Sequence, residues 1–360
     1  MQRTGIADLP LHGGRAPRWL FSRMVRLARA LCLAILEEFG RAELLRRLSD
    51  PFWFQAFGCL LGFDWHSSGL TTTVCGALKE ALAPLSLETG IFVCGGKGRT
   101  SLKTPEEILF WAEKAGLPQE FRHLPDISRL SAKVDNTALQ DGYQLYHHTF
   151  IFTVEGTWAV IQQGMNQFTA LARRYHWLSE RVRNLTEEPH TGIATVRREP
   201  EVLDLTARES QAVRRVLCHL LQAPPDQILR EIERVRRLEL PRRHGLSERD
   251  LEPRGLRKVL LSAYECPPED FREVLGIKGL GPRSLRALTL TAELLYDVRA
   301  SRTDPARYAF AHGGKDGHPF PVDRRAYEDT VRFLEEALNR ARLGQKDRLK
   351  ALRRLTLLIG

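Results

Sequence analysis

Along the first half of the chain the spacing of apolar positions changes several times. Residues 16–48 (APRWLFSRMVRLARALCLAILEEFGRAELLRRL) repeat apolar side chains every three or four positions with basic residues between, which predicts a long amphipathic helix. GLTTTVCGALKEAL keeps that period and predicts a second helix. GIFVCGGKG is a short apolar run closed by glycines, the pattern of a buried strand ending in a tight turn. TPEEILFWAEKAG opens with Thr104 and Glu107 in capping-box spacing ahead of another helix. In HHTFIFTVEGTWAVIQQGM two β-rich runs flank Glu155 and Gly156, which predicts a hairpin.

From about Leu203 the strand patterns stop. QAVRRVLCHLLQ, PDQILREIERVRRL, GLRKVLLSAYE, DFREVL and SLRALTLTAELLYD read as short helices joined by turns bearing Pro and Gly. A glycine-rich loop, FAHGGKDGHPFPVDRRAYEDT, precedes a last amphipathic helix from Ala326, and QKDRLKALRR is a basic helical stretch. The polar segment from Arg197 to Asp204 sets the boundary. The expected fold is an α+β N-terminal domain with a β-hairpin or small sheet over residues 1–200, then an all-α domain over 201–344, then a basic helical tail over 345–360.

Composition adds a partner class. At 360 residues the chain has room for two cores. A formal charge of +10, carried more by Arg than by Lys, favours a polyanion over an acidic partner. There is no apolar run of about 18 residues, so no membrane partner is expected. MQRTGIADLPLHGG has no apolar signal core, which points to the cytoplasm. The six cysteines, Cys32, Cys59, Cys75, Cys94, Cys218 and Cys266, contain no CxxC pair and read as buried thiols.

GIKGLGPRSLRAL, Gly276 to Leu288, carries the clearest local signal. Gly279 and Gly281 bracket Leu280 in a sharp turn, and Pro282 suits a first helical position. The helix start then offers N–H groups and a positive dipole end, with Lys278, Arg283 and Ser284 beside it, which is chemistry for a phosphate. The segment resembles the hairpin of a helix-hairpin-helix motif, which implies DNA held by its backbone with little sequence preference.

Two wider resemblances follow. GIADLPLHGGRAPRWLFSRM, FDWHSSGLTTT, KVDN, QDGYQLYHH, RYHWLS, EPHTGI and FAHGGKDGHPFPVDR resemble, over nearly the whole chain, an uncharacterised domain-of-unknown-function family of archaeal and bacterial proteins, which implies no activity. The helical half is similar to the helix-hairpin-helix superfamily of base-excision DNA glycosylases. That likeness implies a catalytic role for Asp323 in PFPVDR, and places Arg283 where bifunctional members carry a nucleophilic lysine. The AFAHGGKDGHP insertion makes the hairpin-to-aspartate gap longer than that superfamily's pattern.

The first half is also dense in polar groups: Asp64 and His66 in FDWHSSG, Asp135 in KVDN, Asp141, Tyr143, His147 and His148 in DGYQLYHH, Gln162 and Gln163, His176, Glu188 and His190. Dense buried polar groups mark a functional site when they satisfy one another. Asp64, Asp141, His147, His176, Glu188 and His190 form the expected ligand set for a divalent metal ion, Mg, Mn or Zn. Asp64, His66, Asp141, His147, His176 and His190 are the expected catalytic groups. Strand alternation sends His147 and His148 to opposite faces. No GxSxG surrounds Ser67 and Ser68, and GGKG lacks the GxxxxGK[ST] spacing, so it reads as a turn. The expected function is a DNA-processing or repair enzyme, a metal-dependent nuclease. The alternatives are a glycosylase-like enzyme using Asp323 and a non-catalytic DNA-binding protein.

Overall fold

Helical periodicity builds the first layer. In the computed structural model, which describes residues 16–63, 68–195, 198–236, 253–306, 308–309, 324–341 and 344–359, α1 (Arg18–Leu48) fills the predicted first helix. It kinks at Gly40, whose φ of +79° leaves the helical region. Asp50 caps α2 (Pro51–Leu61) by accepting hydrogen bonds from the Phe52 and Trp53 amides. α3 (Gly69–Leu82) and the short α4 (Ser86–Thr89) complete the layer.

The middle layer is a sheet. β1 (Ile91–Lys97), β3 (Gln144–Thr153), β4 (Trp158–Asn166), β5 (Leu171–Leu178) and β6 (His190–Thr195) run antiparallel in that order, and the two-residue β8 (Tyr308–Ala309) joins β6 in parallel. A small second pair joins β2 (Leu139–Gln140) to β7 (Leu203–Asp204). The predicted hairpin is β3–β4, turning at Gly156 with φ +84°. β5 and β6 lay outside the predicted strands, because LARRYHWL puts charged and imidazole groups where a strand is expected to be apolar.

Alternation buries both faces of this sheet. Ile91, Val93, Ile151, Ile161 and Leu178 pack on α1–α3, joined there by Phe333 and Leu334 of α12 (Arg324–Arg340) and Ala351 of α13 (Gln345–Ile359). Phe92, Phe150, Phe152, Trp158 and Trp177 face the other way, onto α5 (Thr104–Lys114) and α6 (Leu124–Lys133). The same apolar mass continues into α7 (Gln211–Leu221), α8 (Pro225–Arg236), α9 (Pro253–Glu265), α10 (Phe271–Gly276) and α11 (Pro282–Tyr296). The change from strand-bearing to helical chain near residue 200 therefore does not interrupt the core.

Two local expectations resolve differently. Thr104 and Glu107 do not form a capping box. The Thr104 hydroxyl donates to Ser101 O, while the Glu107 carboxylate accepts from the Gly95 amide at 2.7 Å and from Lys79 Nζ at 2.6 Å. Gly95 has φ +93°, and a Cβ there would collide with the His148 carbonyl, so the GGKG glycines serve strand geometry. All six cysteines are free; five are buried as expected and Cys266 is exposed. No described helix is long and apolar enough to cross a membrane.

Candidate functional site

Neighbours on one strand are sent to opposite faces, and this sorts the candidate residues. His148, on the α6 side of β3, accepts from Ser128 Oγ at Nε2 (2.8 Å), and its Nδ1 lies 2.9 Å from Gln162 Oε1. The Gln162 amide donates to Asp135 Oδ2 at 2.5 Å and Ser131 O at 3.3 Å, so its Oε1 is the acceptor and His148 carries its proton on Nδ1. Burial lowers the His148 pKa and keeps the ring neutral. Asp135, fully buried, also accepts from Trp177 Nε1 at 3.0 Å and from His190 Nε2 at 2.5 Å. An ionised carboxylate only accepts, so the His190 proton sits on Nε2 and its lone pair on Nδ1.

Two irregularities aim this pair. Asp135 lies on a π-helical turn, Val134–Ala138, that ends α6. His190 opens β6 beside a register shift against β5, a place where bulges redirect side chains. His190 forms part of the wall of a cleft of about 550 Å³, shared with Glu188, Glu209, Arg299 and Arg302. Glu188 is held there at φ +44°, a strained conformation for a non-glycine residue.

On the opposite face the histidines have other duties. His176 donates from Nδ1 to Leu48 O at 3.2 Å and accepts at Nε2 from Arg174 Nε at 2.7 Å. Burial, then the Arg174 charge, holds it well below the ordinary imidazole pKa. His147 meets Thr149 Oγ1 at 3.0 Å, while its buried Nδ1 has no partner among the described residues. Burial, helped by His148 and Lys97, lowers its pKa to about 3. Asp141 is tied into a third place: it accepts from Arg173 at 3.0 Å and Tyr175 OH at 2.8 Å, and Arg173 also binds Asp304 at 2.7 Å.

The expected set is thus dispersed. Only Glu188 and His190 share a cleft, while Asp141, His147 and His176 each answer to other partners. Asp64, His66 and Asp323 lie outside the described residues. Among the described residues no group of three or more His, Cys, Asp or Glu side chains is placed to hold a metal ion. Asp135 and Gln162 belong to the polar group that the sequence marks, outside its expected catalytic and ligand sets, and Ser128 carries no sequence signal.

The glycine turn is built as its sequence suggests. Gly279 has φ +85°, Leu280 is buried between the glycines, and Lys278, Gly279 and Arg283 are exposed, with Ser284 half-buried. Gly281 precedes Pro282 in extended backbone with open space where a Cβ would stand, and no side chain caps the helix. The turn is pinned from behind: Lys133 Nζ donates to Leu280 O and Gln140 Nε2 to Pro282 O, both at 2.8 Å. Arg286 Nε donates to Gln140 Oε1, also at 2.8 Å.

The profile of a family described as protein of unknown function (DUF763) matches residues 5–322. No curated protein and no solved structure matches the chain.

His147, His148 and His176 all have folded pKa values below the unfolded value of about 6.5. Above that pH both states are neutral and their contribution to stability is complete. Below it the unfolded chain binds protons the folded one refuses, so stability falls as pH falls, by about 1.4 kcal/mol per unit for each histidine. The buried carboxyls of Asp50, Asp141 and Asp204 are pushed up and act in the opposite sense, so a difference between variants isolates the imidazoles. Urea unfolding from pH 7 to 5 should show a steep loss, and His147→Gln should reduce its slope by about one proton. An identical slope in the variant would show that His147 is not buried as a neutral ring.

Proposed function

The chain belongs to the DUF763 family, and from its own glycine turn and charge we propose that it is a DNA-binding protein of the helix-hairpin-helix kind which processes the strand it holds. The observation that carries the reading is the α10–α11 turn. It presents Lys278, Arg283 and the uncapped N-terminus of a 15-residue helix to solvent on a support that Lys133 and Gln140 hold rigid. Amides, a dipole end and two cations at one spot suit a backbone phosphate, which carries no base information. The basic balance of the whole chain supports the same partner.

For the chemistry, the pair that suits proton transfer is His190 with Asp135. Asp135 fixes the tautomer and orientation of the ring, Gln162 and Trp177 fix Asp135, and Nδ1 is left to take a proton from water or a hydroxyl attacking a phosphodiester. The imidazolium that results is stabilised by the buried carboxylate, and as the old P–O bond breaks the leaving oxygen takes its proton from solvent. Arg299 and Arg302 line the same cleft and suit the charge that develops on the phosphate oxygens.

Two measurements test this. In fluorescence anisotropy with labelled single-stranded and duplex DNA across a salt series, Lys278→Ala with Arg283→Ala should weaken binding to all sequences alike. The salt slope should fall by about two. Unchanged affinity and slope remove the turn from the account.

The second is strand cleavage on single-stranded, duplex and branched DNA, with Mg²⁺, Mn²⁺ or Zn²⁺ and with a chelator. His190→Ala and Asp135→Asn should each lower turnover by about 10²–10⁴-fold while DNA affinity holds. Full turnover in His190→Ala would overturn the assignment of the proton-transfer group.

A further inference from the structure

A cleft of about 730 Å³ lies on the other side of the sheet from the α10–α11 turn, enclosed by α1, the end of α2 and α13. Its floor is apolar, with Leu27, Ala30, Ala34 and Leu61, and its walls carry seven basic side chains against three carboxylates. Ordinary surface charge of that density is cancelled by ion pairs. Here much of it is not.

Three of the guanidiniums are anchored on the carboxyl ends of helices. Arg29 Nε donates to Ala81 O of α3 at 2.9 Å, Arg354 Nη1 to Leu60 O of α2 at 3.1 Å, and Arg41 Nε to Thr89 O, the last residue of α4. Those carbonyls are the negative ends of helix dipoles. They fix a guanidinium in place without neutralising it, and each guanidinium has five donors, so others remain for a ligand. Arg41 also pairs with Glu155 at 2.5 Å, Arg340 pairs with Glu38, and Arg26 lies 3.5 Å from Asp347. Arg23, Arg29 and Arg354 have no carboxylate within ion-pair distance among the described residues. Arg23 lies over the Trp19 ring instead.

The backbone is shaped to admit these groups. Gly62 and Gly90 end their helices at φ +105° and +67°. A Cβ on Gly62 would stand 2.7 Å from Arg354 Nη1, and one on Gly90 would stand 2.8 Å from Arg41 Nε. Burial, and then the like charge of Arg23, lower the Arg354 pKa, and the Asp347 carboxylate offsets them only in part.

We propose that this cleft binds a nucleoside phosphate, with the phosphates on Arg29, Arg354 and the rim residues Arg23 and Arg26, and the nucleoside over the Leu27–Ala30–Ala34 floor. Planar, multidentate guanidiniums suit phosphoryl oxygens, and the volume lies in the range of small-molecule sites. The ligand chemistry is shared by a free nucleotide and by a residue of a nucleic-acid strand. The inference does not rest on the α10–α11 turn or on His190.

The test is isothermal titration of the full chain with ATP, inorganic pyrophosphate, adenosine and a single-stranded 12-mer, without added metal. ATP, the 12-mer or both should bind at least tenfold more tightly than adenosine or pyrophosphate. Arg23→Ala with Arg26→Ala, both on exposed side chains, should weaken that binding at least tenfold with an unchanged melting temperature. Lys278→Ala with Arg283→Ala should leave ATP binding as it was, and should leave the 12-mer's contribution from Arg23 and Arg26 intact. Binding of ATP identifies a free nucleotide as the source, and binding of the 12-mer alone identifies a strand. Pyrophosphate as tight as ATP, no phosphate-dependent binding, or indifference to the Arg23 and Arg26 substitutions would each overturn the proposal.

Discussion

Arg173 and Arg174 are consecutive residues of a strand buried on both faces, so two guanidiniums enter the interior in opposite directions. An unpaired buried charge costs several kcal/mol, so each must find partners where it points. Arg173 meets Asp141 and Asp304, with Tyr143 stacked beneath it. This draws the segment around residue 304 onto the sheet. Arg174 finds neutral acceptors, Pro51 O and Gln55, and lies over Phe54, which draws α2 onto the other face. Burial lowers its pKa to about 9. Tyr175 and His176 repeat the pattern one step along, to Asp141 and to Leu48 O. Four successive side chains thus fasten α1 and α2 to one face of the sheet and the segments around residues 141 and 304 to the other.

That frame explains how the rest is aimed. With β5 fixed, Trp177 is fixed, and it shares Asp135 with Gln162 and His190. The imidazole at the cleft is therefore oriented from behind by groups that cannot move independently. The π-helical turn that carries Asp135 also follows Lys133, whose ammonium reaches the carbonyl of Leu280. One short segment, residues 133–140, thus touches both His190 and the glycine turn. About 22 Å of α11, from its length at 1.5 Å per residue, separates its N-terminus from the segment lining that cleft.

The sequence pattern revealed elements wherever one physical rule dominated. The long first helix, the Glu155–Gly156 hairpin and the turn at Gly279 each follow from period or from a glycine's φ. Opposed directions for His147 and His148 followed from strand geometry alone. β5 was hidden because its buried polar groups satisfy one another across the fold, and such pairing leaves no mark on local periodicity. For the same reason Asp141, His147 and His176 looked like one site and lie in three settings. Glu107 belongs with them: its spacing to Thr104 is that of a cap, yet Gly95 and Lys79 compete better for the carboxylate.

We propose that a DNA backbone docks on the start of α11. Amide hydrogen exchange read by mass spectrometry, with and without duplex DNA at low salt, tests it without any substitution. Slowed exchange in peptides covering Lys278 to Arg286 is the predicted result, and the slowing should fade as salt is raised, as phosphate contacts require. Bound DNA with no change in those peptides, and protection elsewhere, would contradict it.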